Sequence, residues 1–194
     1  MKKYLDSLIS AIKDAVSVLK LDKSMISRVA ADDSATLNAI FILALPFVVN
    51  VLLLALTGPM FLWLQIKILL IPIVALIGAI FSMSLVAQVL FKAKGDHLAF
   101  FRVLAYASIV SWLGVLPVLL GAFGMDSFYN LFNLVNLVLG VWILVVTYNV
   151  LTSYYRLNQQ NAIITMIIGV VCAAILQSLL GELLIGRFYR VMYF

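Results

Sequence analysis

Charge is what this chain has least of. Only 11% of its residues are Asp, Glu, Lys or Arg, while 65% are hydrophobic. Soluble domains carry about 25% charged and roughly 45–50% apolar residues. A chain of 194 residues cannot hide that much apolar surface from water, so a bilayer must be the solvent for most of it. Cysteine is nearly missing: Cys172 stands alone, which excludes an intrachain disulfide and a cysteine-built metal site. Histidine is just as scarce. With His97 as the single example there is no HExxH pair, and no Gly-rich phosphate loop follows a strand. Ser82, Ser108 and Ser111 lack the nucleophile-and-base setting that hydrolysis needs. No cofactor is implied, and the expectation is a protein that is not an enzyme.

The net charge of +5 does not point to nucleic acid, because the 13 Lys and Arg are spread over loops and termini with no basic face interleaved with aromatics. Residues 4–21 are interrupted by Asp6, Lys13, Asp14 and Lys20, so no signal peptide is expected and the first membrane segment should act as its own insertion signal.

What the chain does have is long apolar runs, with a mean hydropathy of +1.19. The predicted fold is all-α: a polytopic membrane protein with a bundle of five transmembrane helices, preceded by an N-terminal amphipathic helix. Residues 1–34 form the N-terminal region and residues 35–194 the membrane domain. In residues 1–20, Leu5, Leu8, Ile9, Ile12, Val16 and Leu19 recur at steps of three and four, opposite Lys2, Lys3, Asp6, Lys13 and Asp14. Such a helix can lie in the headgroup layer or pack on the end of the bundle, and its pattern suits both. Residues 22–34 read as a second short helix capped by Asp22. The Asp32-Asp33-Ser34 hinge that follows reads as an N-cap for the first span rather than a metal or catalytic pair.

The five spans are predicted at about 35–56, 67–91, 98–122, 128–152 and 162–186, with kinks at Pro46 and Pro72 and a break at Pro117. Residues 61–67 read as an interfacial segment. The stripes Gly78-Ser82-Leu85, Ala107-Ser111-Gly114-Gly121 and Gly169-Ala173-Gln177-Gly181 suit close helix approach. Short Lys/Arg-rich loops stay cytoplasmic. Lys92, Lys94 and Arg102, around the central loop, therefore act as topology determinants. With the N-terminus inside, ten of the 13 Lys and Arg fall on the cytoplasmic side and the C-terminus lies outside. For a prokaryotic chain the membrane is the plasma (inner) membrane.

Chemistry-bearing residues are few. His97 reads as a solvated loop histidine. Glu182 near the outer end of the fifth span pairs with Arg187 and Arg190 or lines a polar site, and the sequence leaves both open. Asn133 and Asn136 on the fourth span, with Gln177 and Glu182 on the fifth, form a candidate intramembrane polar cluster. Interhelical hydrogen bonds, at roughly 0.6 kcal/mol each, account for such residues more simply than a solute pathway does.

From Leu19 onward the chain resembles the Yip family of Ypt-interacting multi-pass proteins, as a compact prokaryotic-type member. The resemblance lies in Leu19-Lys-Leu-Asp22 leading to Ala35, Phe101-Arg-Val-Leu-Ala-Tyr-Ala-Ser108 closing at Leu116-Pro117, and Val141-Trp-Ile-Leu-Val-Val146. It continues through Tyr155-Arg156-Leu157 and Asn161-Ala162-Ile163. Two prolines common in the family are replaced here by Asp22-Lys23 and Ile109-Val110-Ser111. The resemblance implies five spans and a cytoplasmic N-terminus, and no settled activity for prokaryotic members. The expected role is a non-enzymatic scaffold or adaptor that binds membrane lipids, protein partners or a second copy. The alternative is a small-solute transporter or channel subunit with a polar pathway between helices four and five.

Overall fold

The computed structural model describes residues 2–57, 62–122 and 129–186. No strand occurs among them. The helices are α1 (Lys2–Leu19), α2 (Lys23–Ala31), α3 (Ala35–Thr57), α4 (Leu62–Val89) and α5 (His97–Ala107), then a 3-10 segment (Ser108–Gly114), α6 (Val115–Ala122), α7 (Tyr129–Ser153) and α8 (Gln159–Gly181). A π turn, Glu182–Gly186, ends the described chain. Among the described residues four stretches are long and apolar enough to cross a membrane: Ala35–Leu53, Leu69–Val89, His97–Gly114 and Gln159–Leu184. Within α7 the apolar stretch Leu137–Ser153 is shorter.

The central helix is α5, which touches α1, α2, α3, α4 and α7. Its residues from Ala99 to Ala107 are all buried. Small Ala99, Ala105 and Ala107 let neighbouring helices come close, while Phe100, Val103 and Tyr106 fill the space between them. α8 lies at the margin and packs mainly on α4. Gly169 of α8 sits against Met83 of α4, and Gly78 of α4 against Leu176 of α8. A Cβ at Gly169 would lie 2.2 Å from Met83 Cγ, so glycine there sets the helix separation. The small-residue stripes are used only in part. Leu85 and Gln177 stay exposed, and Gly181 has open space around its Cβ position.

Three boundaries differ from the sequence reading. The second helix begins at Leu62, so the part of the predicted interfacial segment from 62 to 67 is helical; Phe61 lies outside the described residues. The third span is split into α5, the 3-10 segment and α6, and the irregular part lies before Pro117, which itself sits within α6. A proline disturbs the turn before itself, because it offers no N–H to the carbonyl four residues back and its ring crowds that carbonyl. Ser108 adds to the effect by donating its hydroxyl to the Ala105 carbonyl at 2.6 Å. The third difference is Arg102, which was grouped with the loop cations and is instead a buried residue of α5.

α1 packs against α5 through Ala11, Ala15 and Val18, which are buried, while Ile9 and Val16 of the predicted apolar stripe stay exposed. The edge of α1 beside the stripe thus meets protein, with Ile12 and Leu19 of the stripe partly packed on the core and Ile9 and Val16 on the outer surface. Trp142 of α7 ties the end of α1 down, its Nε1 donating to the Leu19 carbonyl at 3.1 Å.

Candidate functional site: a polar cap at one end of the bundle

The start of α3, the end of α4, the start of α5 and the turn between α7 and α8 meet at one end of the bundle. Two hydrogen-bond clusters hold them there.

The first is centred on Arg102. Its side chain is only 3% exposed. Nη1 donates to Asp33 Oδ1 at 2.8 Å and to Thr36 Oγ1 at 3.3 Å. Nη2 donates to the Ala30 carbonyl and lies 3.8 Å from Asp96 Oδ2. Nε has no hydrogen-bond partner among the described residues. A buried guanidinium is costly unless its donors are used, and here one side chain engages the end of α2, the hinge and the start of α3. The hinge matches its composition: Asp32 accepts from the backbone N–H and the hydroxyl of Ser34, leaving Asp33 for Arg102. The Ser34 hydroxyl, more than any other contact, holds the Asp32 carboxyl below its usual range. At the start of α2 the Ser24 hydroxyl does the same for Asp22, helped by the Met25 N–H.

The second cluster is centred on Ser84 and Tyr155. The Ser84 hydroxyl lies 2.7 Å from the Tyr155 hydroxyl and 2.9 Å from His97 Nδ1. Gln88 donates to Ser84 Oγ at 3.2 Å. The Tyr155 hydroxyl donates to the Asp96 carbonyl at 2.9 Å, and Phe100 meets its ring edge-to-face at 5.4 Å. Burial pushes the Tyr155 phenol up to about 12. Gly95 lies under this ring: a Cβ there would come within 2.3 Å of Tyr155 Cε1, so only glycine lets the loop pass. His97 is thus a half-buried member of the cluster at the first position of α5, contrary to the solvated loop histidine read from sequence. Asp96 positions it by capping the helix, accepting from the Ala99 N–H at 3.1 Å.

Ser84 escaped the sequence reading. Its four-residue spacing from Gln88 on α4, next to the loop holding the one histidine, was the available signal. Of the predicted polar cluster only the α8 members have described side chains. Gln177 and Glu182 are exposed on α8 and at its end, and the side chains of Asn133 and Asn136 lie outside the described ones. Elsewhere along the spans, Thr147, Asn149 and Thr165 donate to carbonyls of their own helices. One cross-helix bond is made by Trp112, whose Nε1 donates to the Ile42 carbonyl at 2.9 Å.

Deeper in the bundle a cavity of about 320 Å3 lies between α3, α4 and the 3-10 segment, bordered by Pro46, Asn50, Pro72, Ser111 and Gly114. Asn50 Oδ1 is buried without a hydrogen-bond partner among the described residues.

Compared with protein-family models, with curated proteins and with solved structures, the chain matches none.

Proposed function

We propose that this chain is a five-pass, non-enzymatic membrane protein of Yip type, a scaffold or adaptor that holds lipid or protein partners. α7 serves as the fifth crossing; at 25 residues it is long enough to span. The N-terminus is cytoplasmic and the polar cap is the cytoplasmic end. Lys92, Lys94 and Arg156 lie in the turns at that end, which is where short basic loops stay.

The observation that carries the reading is how the reactive side chains are spent. Arg102, His97, Ser84 and Tyr155 bond to one another or to backbone and lock helices together. A catalytic set would instead point toward a shared cavity. The outer faces are broad and apolar. On α8 alone Ile163, Ile167, Val171, Ile175 and Leu179 are each at least half exposed, which suits contact with lipid or with a membrane partner. Two experiments test the proposal. Tags at Met1 and Phe194 should report opposite aqueous compartments, and crosslinking in native membranes should recover a partner or a second copy. A shared compartment removes the five-pass layout, and a chain that stays monomeric without partners removes the scaffold role.

A transporter or channel subunit is the second reading, and Asn50 beside the mid-bundle cavity favours it more than Gln177 or Glu182 does. Proteoliposomes followed by stopped-flow light scattering for glycerol entry test it. Permeability equal to that of empty vesicles counts against it.

A further inference from the structure

A second cavity, of about 710 Å3, opens beside the polar cap between the turn that ends α4 and the turn that ends α7. Lys92, Lys94 and Arg156 line it, with Ser27, Ser153 and Tyr154 among the other lining residues, and no carboxylate among the described residues does. The three cations are exposed, and none forms an ion pair among the described residues.

The two turns share one geometry. The Ala93 N–H closes onto the Ala87 carbonyl, and the Leu157 N–H onto the Leu151 carbonyl, both at 3.0 Å. In each turn the residue just before the closing N–H is basic and left-handed: Lys92 at φ 52° and Arg156 at φ 54°. Glycine is the default for such a position, and a long side chain there costs backbone strain. Attraction to the negative helix end accounts for a cation near each turn. It does not account for both cations, with a third, bordering one cleft that lacks any counter-charge.

We propose that this cleft binds a phosphate group carrying net negative charge, either on a lipid headgroup or on a soluble phosphate. Arg156 supplies a planar fork matched to phosphate oxygens, Lys92 and Lys94 supply point charges, and the hydroxyls of Ser27 and Tyr154 supply neutral donors. The cleft is of ligand size. Basic pockets at the cytoplasmic ends of membrane helices are suited to anionic headgroups. The inference rests on the membrane reading above and is independent of the scaffold role.

The test uses the full chain in phosphatidylcholine nanodiscs, with thermal unfolding followed by tryptophan emission. One arm replaces chloride by inorganic phosphate at matched ionic strength. The other replaces part of the lipid by phosphatidylglycerol. The unfolding midpoint is expected to rise by several degrees in at least one arm. A rise only with phosphatidylglycerol assigns the headgroup, and a rise with inorganic phosphate assigns a soluble phosphate. The double variant Lys92→Gln/Arg156→Gln should abolish the rise, and Lys94→Gln, whose backbone is not left-handed, should reduce it even if the double variant does not fold. Lys13→Gln/Lys23→Gln, which removes equal charge away from the cleft, should keep it. No rise in either arm overturns the assignment, as does a rise that survives the cleft variants or one lost equally in the control. An alkaline carbonate wash of the source membranes reports separately on whether the chain is membrane-integral.

Discussion

Arg102 and Asp33 form a one-sided ion pair: the guanidinium side chain is 3% exposed and the carboxylate side chain 94% exposed, with 2.8 Å between them. The two residues are therefore unequal in what their loss does. Asp33→Ala leaves Arg102 with the Ala30 carbonyl, Thr36 and the nearby Asp96, and should cost about 1–2 kcal/mol, near that of a charged hydrogen bond. Arg102→Ala removes every donor that ties α5 to the hinge and leaves a cavity in the packed centre, and should cost about 3–5 kcal/mol. Denaturant unfolding in micelles checks the order; an Asp33 variant as damaged as the Arg102 variant would contradict it.

Tyr155→Phe keeps the ring against Phe100 and loses the bonds to Ser84 and the Asp96 carbonyl. It should destabilise the protein by roughly 1–2 kcal/mol at neutral pH. The pH dependence follows from the direction of the phenol. Its folded value lies above its unfolded value of 10.0, so the folded state holds this proton longer. The contribution is complete below pH 10 and fades as pH rises toward about 12. The gap between wild type and Tyr155→Phe should narrow across that window, and unfolding curves on either side of it will show whether it does.

Asp22 and Asp32 give the opposite limb. Both carboxyls are held below the ordinary 3.8, so the stability they confer is present above that pH and is lost as pH falls through their lowered values. The double variant Asp22→Asn/Asp32→Asn should flatten the acid side of the stability profile and leave the neutral region nearly level. An unchanged acid limb would mean that other groups set it.

Gly169 and Gly181 occupy one predicted stripe but have different surroundings. Gly169→Val should wedge α8 from α4 at a cost of about 1–3 kcal/mol, because Met83 fills the space its side chain needs. Gly181→Ala meets nothing within 4 Å and should be close to neutral. Thermal unfolding of the two variants in the same micelle compares them directly.

The all-helical class and the order of the apolar segments were legible in the sequence because apolar runs of this length have few alternatives; four of those described are long and apolar enough to cross a membrane. The Asp22 cap was legible too, since a cap is a local signal. Two things were hidden. The burial of Arg102 depends on carbonyl and carboxylate groups brought in from α2 and the hinge, about seventy residues earlier, and a loop cation and a buried one look alike in a charge count. The Ser84–Tyr155–His97 cluster draws on three separate turns of sequence, each with an ordinary polar residue, so no spacing rule joins them. Gln177, from the predicted polar stripe, marks a further limit. Helical spacing says which residues share a face but not what that face meets, and Gln177 faces outward.

The partners of Arg102 have a consequence for biosynthesis. Ala30, Asp33, Thr36 and Asp96 all precede it in the chain. A ribosome that has just released α5 has therefore already made every group the cation requires, and no later segment is needed to shelter it. The N-terminal half can consolidate around that residue during translation, with α7 and α8 arriving afterward as additions to a settled neighbour.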